Sequence, residues 1–347
     1  LSQLQRVLVI GSNLRKDHPL FAQRIRQATR IGCIVSAIGE RDTDWAMPVR
    51  HLCKVPSTGW VQAVADIAVA VAQEKGLSAP LNGEATEIAK QIAKSLMAGE
   101  RRAVLLGNAA AHHPHASHLL TLSNWIADQT GAVVGYLSEA ANTVGAQLVG
   151  AMPGAGGLNA GQMLTGGLKA AILLNNEPEF DSAAGSNAVE SLGQCEMVVT
   201  LSPFKANMAC SDVLLPIAPF TETPGTFVNA EGRVQTFHAV VKPLGETRPA
   251  WKVLRALANV LNLPGFEFNS AQEVLEHLHV AKGGVVPDHV PANRLSNACA
   301  LPTSGLINSS VEPCVASIYQ LDGIVRRASA LQSTADASDS VKQEFAA

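Results

Sequence analysis

The stretch HHPHASH, residues 112 to 118, places four histidines in seven positions: His112, His113, His115 and His118. Imidazole is the commonest metal ligand among side chains, so this spacing raises metal binding first. Pro114 suits the first position of a helix, where its missing N–H would have had no partner. His115 and His118 then lie three apart on one helical face, and His112 and His113 stay in the preceding loop. A zinc site would still need a carboxylate or thiolate, and the first on this helix is Asp128, far along the sequence. The HExxH arrangement is absent. The stretch therefore reads as exposed imidazoles in a loop and helix start at a strand's carboxyl end, with no metal.

Other candidate chemistry is equally sparse. Six cysteines (Cys33, Cys53, Cys195, Cys210, Cys299, Cys314) are scattered without a CxxC pair, which suits reduced, inert thiols. Iron–sulfur clusters need four grouped ligands, and none are grouped here. GAGGLNAG lies after a helix and before a strand, whereas a dinucleotide fingerprint runs from strand through glycines into helix. PGTFVNAEGRVQ (224–235) reads as a tight turn between extended pieces. A P-loop is absent, and a net charge of -3 without a dense basic patch gives no case for nucleic acid.

These residues need elements to hold them. With 347 residues, 47% hydrophobic and 16% charged, the chain can bury a large core in two domains or one large one. No run of eighteen apolar residues occurs, so nothing inserts directly in a membrane. Leu1 with almost no lead-in to a strand at Arg6 reads as a piece of a longer protein, without a visible signal peptide. RVLVIG (6–11) and CIVSAIG are buried parallel strands, separated by the helix LFAQRIRQATRIG. WVQAVADIAVAVAQEKG and ATEIAKQIAKSLMAG are glycine-closed helices. The pattern restarts at RAVLLGN (102–108) and continues through AVVGYL, KAAILLNN (169–176), EMVVTLS (196–202) and DVLLP (212–216). RPAWKVLRALANVLN is an amphipathic helix with Trp251, Leu254, Leu257, Ala258 and Leu261 on one face. The expected architecture is α/β, two Rossmann-like layered units with mostly parallel sheets. The expected spans are 1–99 for the first unit and 100–281 for the second, with a Gly-rich loop at 152–167. Residues 282–347 would form an extended arm with a disordered end, interrupted by a helical stretch at 322–332.

Several separated stretches carry a family likeness. VLVIGSNLRKDHPLFAQRIRQATRIGCIVSAIG resembles the cofactor-binding segment of the molybdopterin oxidoreductase superfamily, in which a strand ends in G-[ST]-N and a His-Pro pair opens a helix. KAAILLNNEPEFD and SDVLLPIAPFTETPGTFVNAEGRVQ repeat the likeness, the latter with Asp212, Pro216, Glu222, Gly225, Asn229, Glu231, Gly232 and Arg233. Within the superfamily, GNAAAHHPHASHLL, EAANTVGA, MPGAGGLNAGQML, LLNNEPEFD and LSPFKANMACSDVLLP together resemble the large iron–sulfur subunit of bacterial NADH:quinone oxidoreductase, respiratory complex I. That likeness covers roughly residues 5–280 and returns at YQLDGIVRRASALQ.

The resemblance implies a scaffold and docking region of a respiratory subunit. Its parent complex carries electrons from NADH through FMN and iron–sulfur clusters to quinone, coupled to ion translocation. The 4Fe-4S and 2Fe-2S clusters would sit on a ferredoxin-like region elsewhere in the parent polypeptide, and this part would hold no cofactor, its pterin lost. Partners would be that region and the other subunits of the peripheral arm, on the cytoplasmic side of the inner membrane, and the isolated part would oxidise nothing. Ligand-type positions surviving as a vestigial pterin pocket would be Ser12, Asn13, His18, Asn108, Asn176, Glu222, Asn229 and Arg233, unless these merely satisfy turns and helix ends. The sequence has Asn13-Leu14 where active relatives have Asn-Pro, and Arg15, Lys16 and Asp17 would crowd the loop or grip a phosphate. The alternative is part of a working molybdopterin-dependent oxidoreductase of the formate dehydrogenase kind. A nicotinamide dehydrogenase fails for want of a fingerprint at Gly11 and of an acid ending the second strand, Glu40 being the nearest.

Overall fold

A computed structural model describes residues 1–41, 43–281, 316–335 and 337. Two compact units emerge, the first carrying residues 1–140 and 316–318 and the second 141–281, 319–335 and 337.

The first unit runs β1 (Arg6–Ile10), α1 (Leu14–Asp17), α2 (Pro19–Thr29), β2 (Ile34–Gly39), β3 (His51–Lys54), α3 (Trp60–Lys75) and α4 (Glu87–Met97). It continues with β4 (Arg102–Leu106), α5 (Asn108–Ala111), α6 (Ala116–Thr130) and β5 (Val133–Tyr136). All five strands are parallel, in the order β3-β2-β1-β4-β5. Alternation along the strands sends side chains to both faces, and both are covered. Leu8, Ile10, Val104 and Leu106 pack with α3, α4 and α6; Val7, Val9, Val35, Ala103 and Leu105 pack with Leu14 and Ile25 on the other side. Helix α3 is alanine- and valine-rich and buries ten residues, as a helix packed on more than one side must. It stops at Gly76 in a left-handed cap, and α4 starts at Thr86, whose hydroxyl accepts the Ala89 N–H.

The boundary expected at 99/100 falls inside this sheet. Arg6–Ile10 pairs residue for residue with Arg102–Leu106, so the restart at Arg102 is the second half of one doubly wound sheet. Only the sheet order distinguishes the two cases, and strand periodicity does not carry it.

The second unit contains α7 (Thr143–Val149), α8 (Ala160–Met163), β6 (Ala170–Leu174), α9 (Pro178–Asp181), α10 (Ser186–Leu192), β7 (Met197–Ser202) and β8 (Val213–Pro216). Then come β9 (Gly225–Val228), β10 (Val234–Phe237), α11 (Ala250–Val260), α12 (Ala271–Ala281), α13 (Gly323–Arg327) and α14 (Ser329–Gln332). β6, β7 and β8 form a parallel sheet, and β9 and β10 an antiparallel hairpin around 224–235, the turn expected there. The Gly-rich loop holds one helical turn, α8, fixed by a reciprocal capping box between Asn159 and Gln162. On α11 only Ala258 of the expected apolar stripe is buried, and Leu261 lies beyond the helix and exposed. The helical stretch expected at 322–332 is present as α13 and α14; the extended arm and disordered end fall largely outside the described residues. Among the described residues no helix is long and apolar enough to cross a membrane.

Candidate functional site

In open α/β sheets ligands bind outside the carboxyl ends of the strands, where the strand order reverses. In the first unit that point lies between β1 and β4, flanked by Gly11–Asn13 and Gly107–Asn108. The two loops touch. Gly107 N–H donates to the Ile10 carbonyl at 2.8 Å, and Ala109 N–H to the Gly11 carbonyl at 3.1 Å. Gly11 turns with φ 59, a left-handed conformation that few residues other than glycine adopt.

Two polar atoms are stranded at this contact. The Ser12 hydroxyl and the Asn108 carboxamide oxygen are buried without a hydrogen-bond partner among the described residues. Asn13 caps α1 through its backbone, and its N–H donates to Asp17 at 3.0 Å. His18 is buried, and its Nε2 lies 3.1 Å from the Ser138 carbonyl, so that nitrogen carries the proton. Its Nδ1 is then a buried acceptor without a partner. Burial raises the Asp17 carboxyl above its ordinary value, partly offset by the Asn13 N–H. The long side chains expected to crowd the loop do not do so at Arg15, which pairs with Asp44 and is half exposed. Leu14 turns inward instead and joins the core.

The histidine stretch also belongs to this edge, but as ties between loops. His113 is buried, contrary to the exposed imidazole expected of it. Its Nδ1 accepts the His115 N–H at 2.9 Å, so Nε2 carries the proton and donates to the Ser57 carbonyl at 3.0 Å beyond β3. The ring also stacks on Trp60, at 6.0 Å between centroids. His112 reaches Glu139 beyond β5 at 2.8 Å. The helix itself begins at Ala116, two residues later than Pro114, because His115 serves as the cap. His115 and His118 stack at 4.9 Å with only 10° between planes. Nitrogen lone pairs lie in the ring plane, so parallel stacked rings do not converge on one ion. Among the described residues no three His, Cys, Asp or Glu side chains gather as ligands. Glu40, the acid after β2, accepts the Ser57 N–H at 2.7 Å and is thereby used within the fold.

These ties predict a pH dependence. Burial lowers His113 below its ordinary 6.5, against the Ser57 hydrogen bond, and burial likewise lowers His118 and His51. The Glu139 hydrogen bond raises His112. Groups held low in the folded state take protons first in the unfolded chain, so stability is lost as pH falls through 6.5 toward their folded values. His112 works oppositely: its contribution is complete below 6.5 and lost as pH rises through its folded value, but it is half exposed and screened. Lower urea midpoints are therefore expected for the first unit at about pH 5.5 than at about pH 7.5. A midpoint that rises on acidification contradicts this account.

In the second unit the carboxyl ends of β6, β7 and β8 line a cavity of about 390 Å³, with Asn175, Glu177, Ser202, Phe204, Ala218 and Arg326 in its wall. The positions expected here fall elsewhere. Asn176 is exposed, and its carbonyl accepts from the Asn207 side chain at 2.8 Å, because left-handed Asn175 (φ 48) turns the chain. Asn229 accepts the N–H groups of Glu231 and Arg233 inside the hairpin turn, and Arg233 is exposed. Glu222 accepts the Leu244 N–H at 2.9 Å. For Asn229 and Glu222, turn and loop closure explains the residue type, whereas Asn176 and Arg233 take part through their backbone. Sequence reasoning missed Ser57, Glu139, Glu177, Arg326 and Arg327. The available signals were Glu177-Pro178 opening a helix after a strand, and paired arginines in a polar tail.

The sheet order defines a doubly wound α/β unit. The Molybdopterin oxidoreductase family profile matches residues 2–260, and the chain belongs to that family. It is 48% identical over 97 residues (28% of this chain, 9% of the relative) to "Putative formate dehydrogenase SAB2186c" of Staphylococcus aureus strain bovine RF122 / ET3-1. It is 37% identical over 68 residues (20% and 7%) to "Putative formate dehydrogenase SAR2393" of S. aureus strain MRSA252. The chain thus spans under a tenth of the length of these curated relatives. In fold it is similar to "Acetylene Hydratase from Pelobacter acetylenicus", with a TM-score of 0.55 at 16% identity over 79% of this chain and 49% of that one.

Proposed function

We propose that this chain is the part of a molybdopterin-family oxidoreductase of the formate dehydrogenase kind that cradles the pterin cofactor at the β1/β4 crevice. One observation carries the reading: the buried, unpartnered Ser12 hydroxyl and Asn108 oxygen at that crevice. Each such atom costs about 1–3 kcal/mol when buried unpaired, a cost that a bound ligand removes. The residues fit a ligand offering donors, since Asn108 Oδ1 and His18 Nδ1 accept and Ser12 can do either. The cofactor supplies two-electron chemistry at its metal; Ser12 and Asn108 hold and orient it. Family membership and the formate dehydrogenase relatives support this over the scaffold.

The scaffold reading, a docking part of the large iron–sulfur subunit of NADH:quinone oxidoreductase, keeps one observation in its favour. The loop after β1 closes on itself: Leu14 enters the core and Asp17 takes the Asn13 N–H, which leaves fewer donors for a phosphate. In that case the iron–sulfur clusters and neighbouring subunits are the partners, and the parent works on NADH and quinone.

The deciding experiment is acid release and fluorescence of oxidised pterin, with elemental mass spectrometry, on the tag-free parent protein from its native source. Stoichiometric pterin with molybdenum or tungsten is expected; iron alone returns the scaffold. The double variant Ser12→Ala Asn108→Leu is expected to lose pterin without losing thermal stability. Apolar groups in place of unpaired polar ones are neutral or stabilising in the protein alone. Full pterin retention by that variant overturns the assignment of the crevice.

A further inference from the structure

The loop between α3 and α4 contains the chain's one Asn-Gly pair, Asn82-Gly83. Gln62 and Asp66 of α3 shape that loop. Gln62 Nε2 donates to Asp66 Oδ1 at 2.8 Å and to the Asn82 carbonyl at 3.4 Å, and the Glu84 N–H donates to Asp66 Oδ1 at 2.9 Å. The close approach requires glycine at position 83. A Cβ there would lie 2.7 Å from Asp66 Oδ1, and 3.2 Å from the Ala65 carbonyl carbon and the Asp66 nitrogen, both backbone atoms.

Asn82 gives this loop only its carbonyl. The residue is exposed, and among the described residues its carboxamide has no hydrogen-bond partner, nor has the Gly83 N–H. A carboxamide carbon that can turn therefore sits beside an amide nitrogen that no side chain shields. Every other asparagine of the chain precedes a residue with a side chain, which hinders attack by the following nitrogen. The comparable acidic pair, Asp322-Gly323, is restrained, because Asp322 Oδ1 accepts the N–H groups of Ile324 and Val325 at 2.8 and 3.2 Å.

We propose that Asn82 is a covalent modification site, deamidated through Gly83 with water as the co-reactant. The Gly83 nitrogen bonds to Asn82 Cγ and gives up its proton. The Cγ–Nδ2 bond breaks, ammonia leaves with that proton, and an imide ring remains. Water opens the ring at either carbonyl, which leaves aspartate or isoaspartate at position 82. One water is consumed, one ammonia is released, and nothing is oxidised or reduced. The new carboxylate arises close in sequence to Glu84, whose N–H is held by Asp66, so like charges gather there. Isoaspartate also lengthens the main chain by one methylene directly before Gly83, where the backbone has no spare room against Asp66. The bond from Glu84 to Asp66 is the one lost. The proposal does not depend on what the first unit binds.

Ageing the whole chain in warm, mildly alkaline buffer, with peptide mapping by mass spectrometry, tests the site. Asn82 is expected to show the mass change from amide to acid before any other asparagine, with isoaspartate the larger product. An isoaspartate-specific methyltransferase is expected to label the aged wild type but not aged Asn82→Gln, whose longer side chain closes the ring far more slowly. Amide exchange at Glu84 is expected to be at least about tenfold faster in the aged chain than in the fresh one, while the middles of α3 and α4 stay unchanged. Conversion of Asn82 in the urea-unfolded chain but not in the folded one overturns the proposal, because the loop then restrains the pair. Equal labelling of aged Asn82→Gln also overturns it, because another asparagine is then the one that reacts. Unchanged exchange at Glu84 in a chain converted at Asn82 overturns the predicted loss of the Asp66 bond.

Discussion

Gly107→Ala is expected to destabilise the first unit by about 3 kcal/mol, the upper end for an overpacked site. Gly107 has an ordinary backbone (φ -88), so the requirement is one of space. An added Cβ would lie 2.3 Å from the Ser12 Cβ, 2.4 Å from the Gly11 carbonyl oxygen and 2.8 Å from the Ser12 Cα. Two of those three neighbours are backbone and cannot swing away. Relief requires the ends of β1 and β4 to part, which breaks the Gly107–Ile10 and Ala109–Gly11 hydrogen bonds that close the crevice. Thermal unfolding measures the loss, and pterin retention in the parent protein measures the crevice. A loss below about 1 kcal/mol would show that the two loops yield easily and hold nothing in a fixed place.

Much of this arrangement was legible in the sequence, for identifiable reasons. RVLVIG and RAVLLGN are apolar runs ending in glycine, and both form central parallel strands whose glycines meet at the crevice. Ser12 and Asn13 follow Gly11, and Asn108 follows Gly107, so choosing strand-end residues lands at the contact between the two loops. The method failed where a residue's surroundings come from contacts between distant loops. His113 sits in a polar, histidine-rich run that reads as surface, yet Trp60 and the Ser57 carbonyl bury it. Asn229 and Glu222 have the residue types of a ligand site, but the hairpin and its neighbouring loop consume their side chains locally. Arg326 and Arg327 lie about 150 residues from Glu177, and nothing local marks that pairing. Strand periodicity also could not say that Arg102–Leu106 joins the first sheet, since pairing order is a long-range property.

Trp60→Ala is expected to cost about 3–5 kcal/mol, the range for truncating a buried large aromatic side chain. Trp60 is 3% exposed and lies beneath the Gly11 turn; a Cβ on Gly11 would meet its ring at 2.5 Å. It also supports the His113 ring and donates its indole N–H to the Val55 carbonyl at 3.3 Å. One side chain thus props the loops after β1, β3 and β4, and its removal leaves a void where the three meet. Trp60→Phe keeps a ring under Gly11 but loses the N–H, and is expected to cost about 1 kcal/mol from that bond plus a smaller packing loss. Urea unfolding ranks the two variants, and amide exchange at Gly11–Asp17 reports whether the crevice loosens. Local exchange should accelerate in Trp60→Ala more than its global destabilisation accounts for. If both variants lose the same stability, the indole N–H outweighs the ring, and the prop under the crevice is the hydrogen bond to Val55.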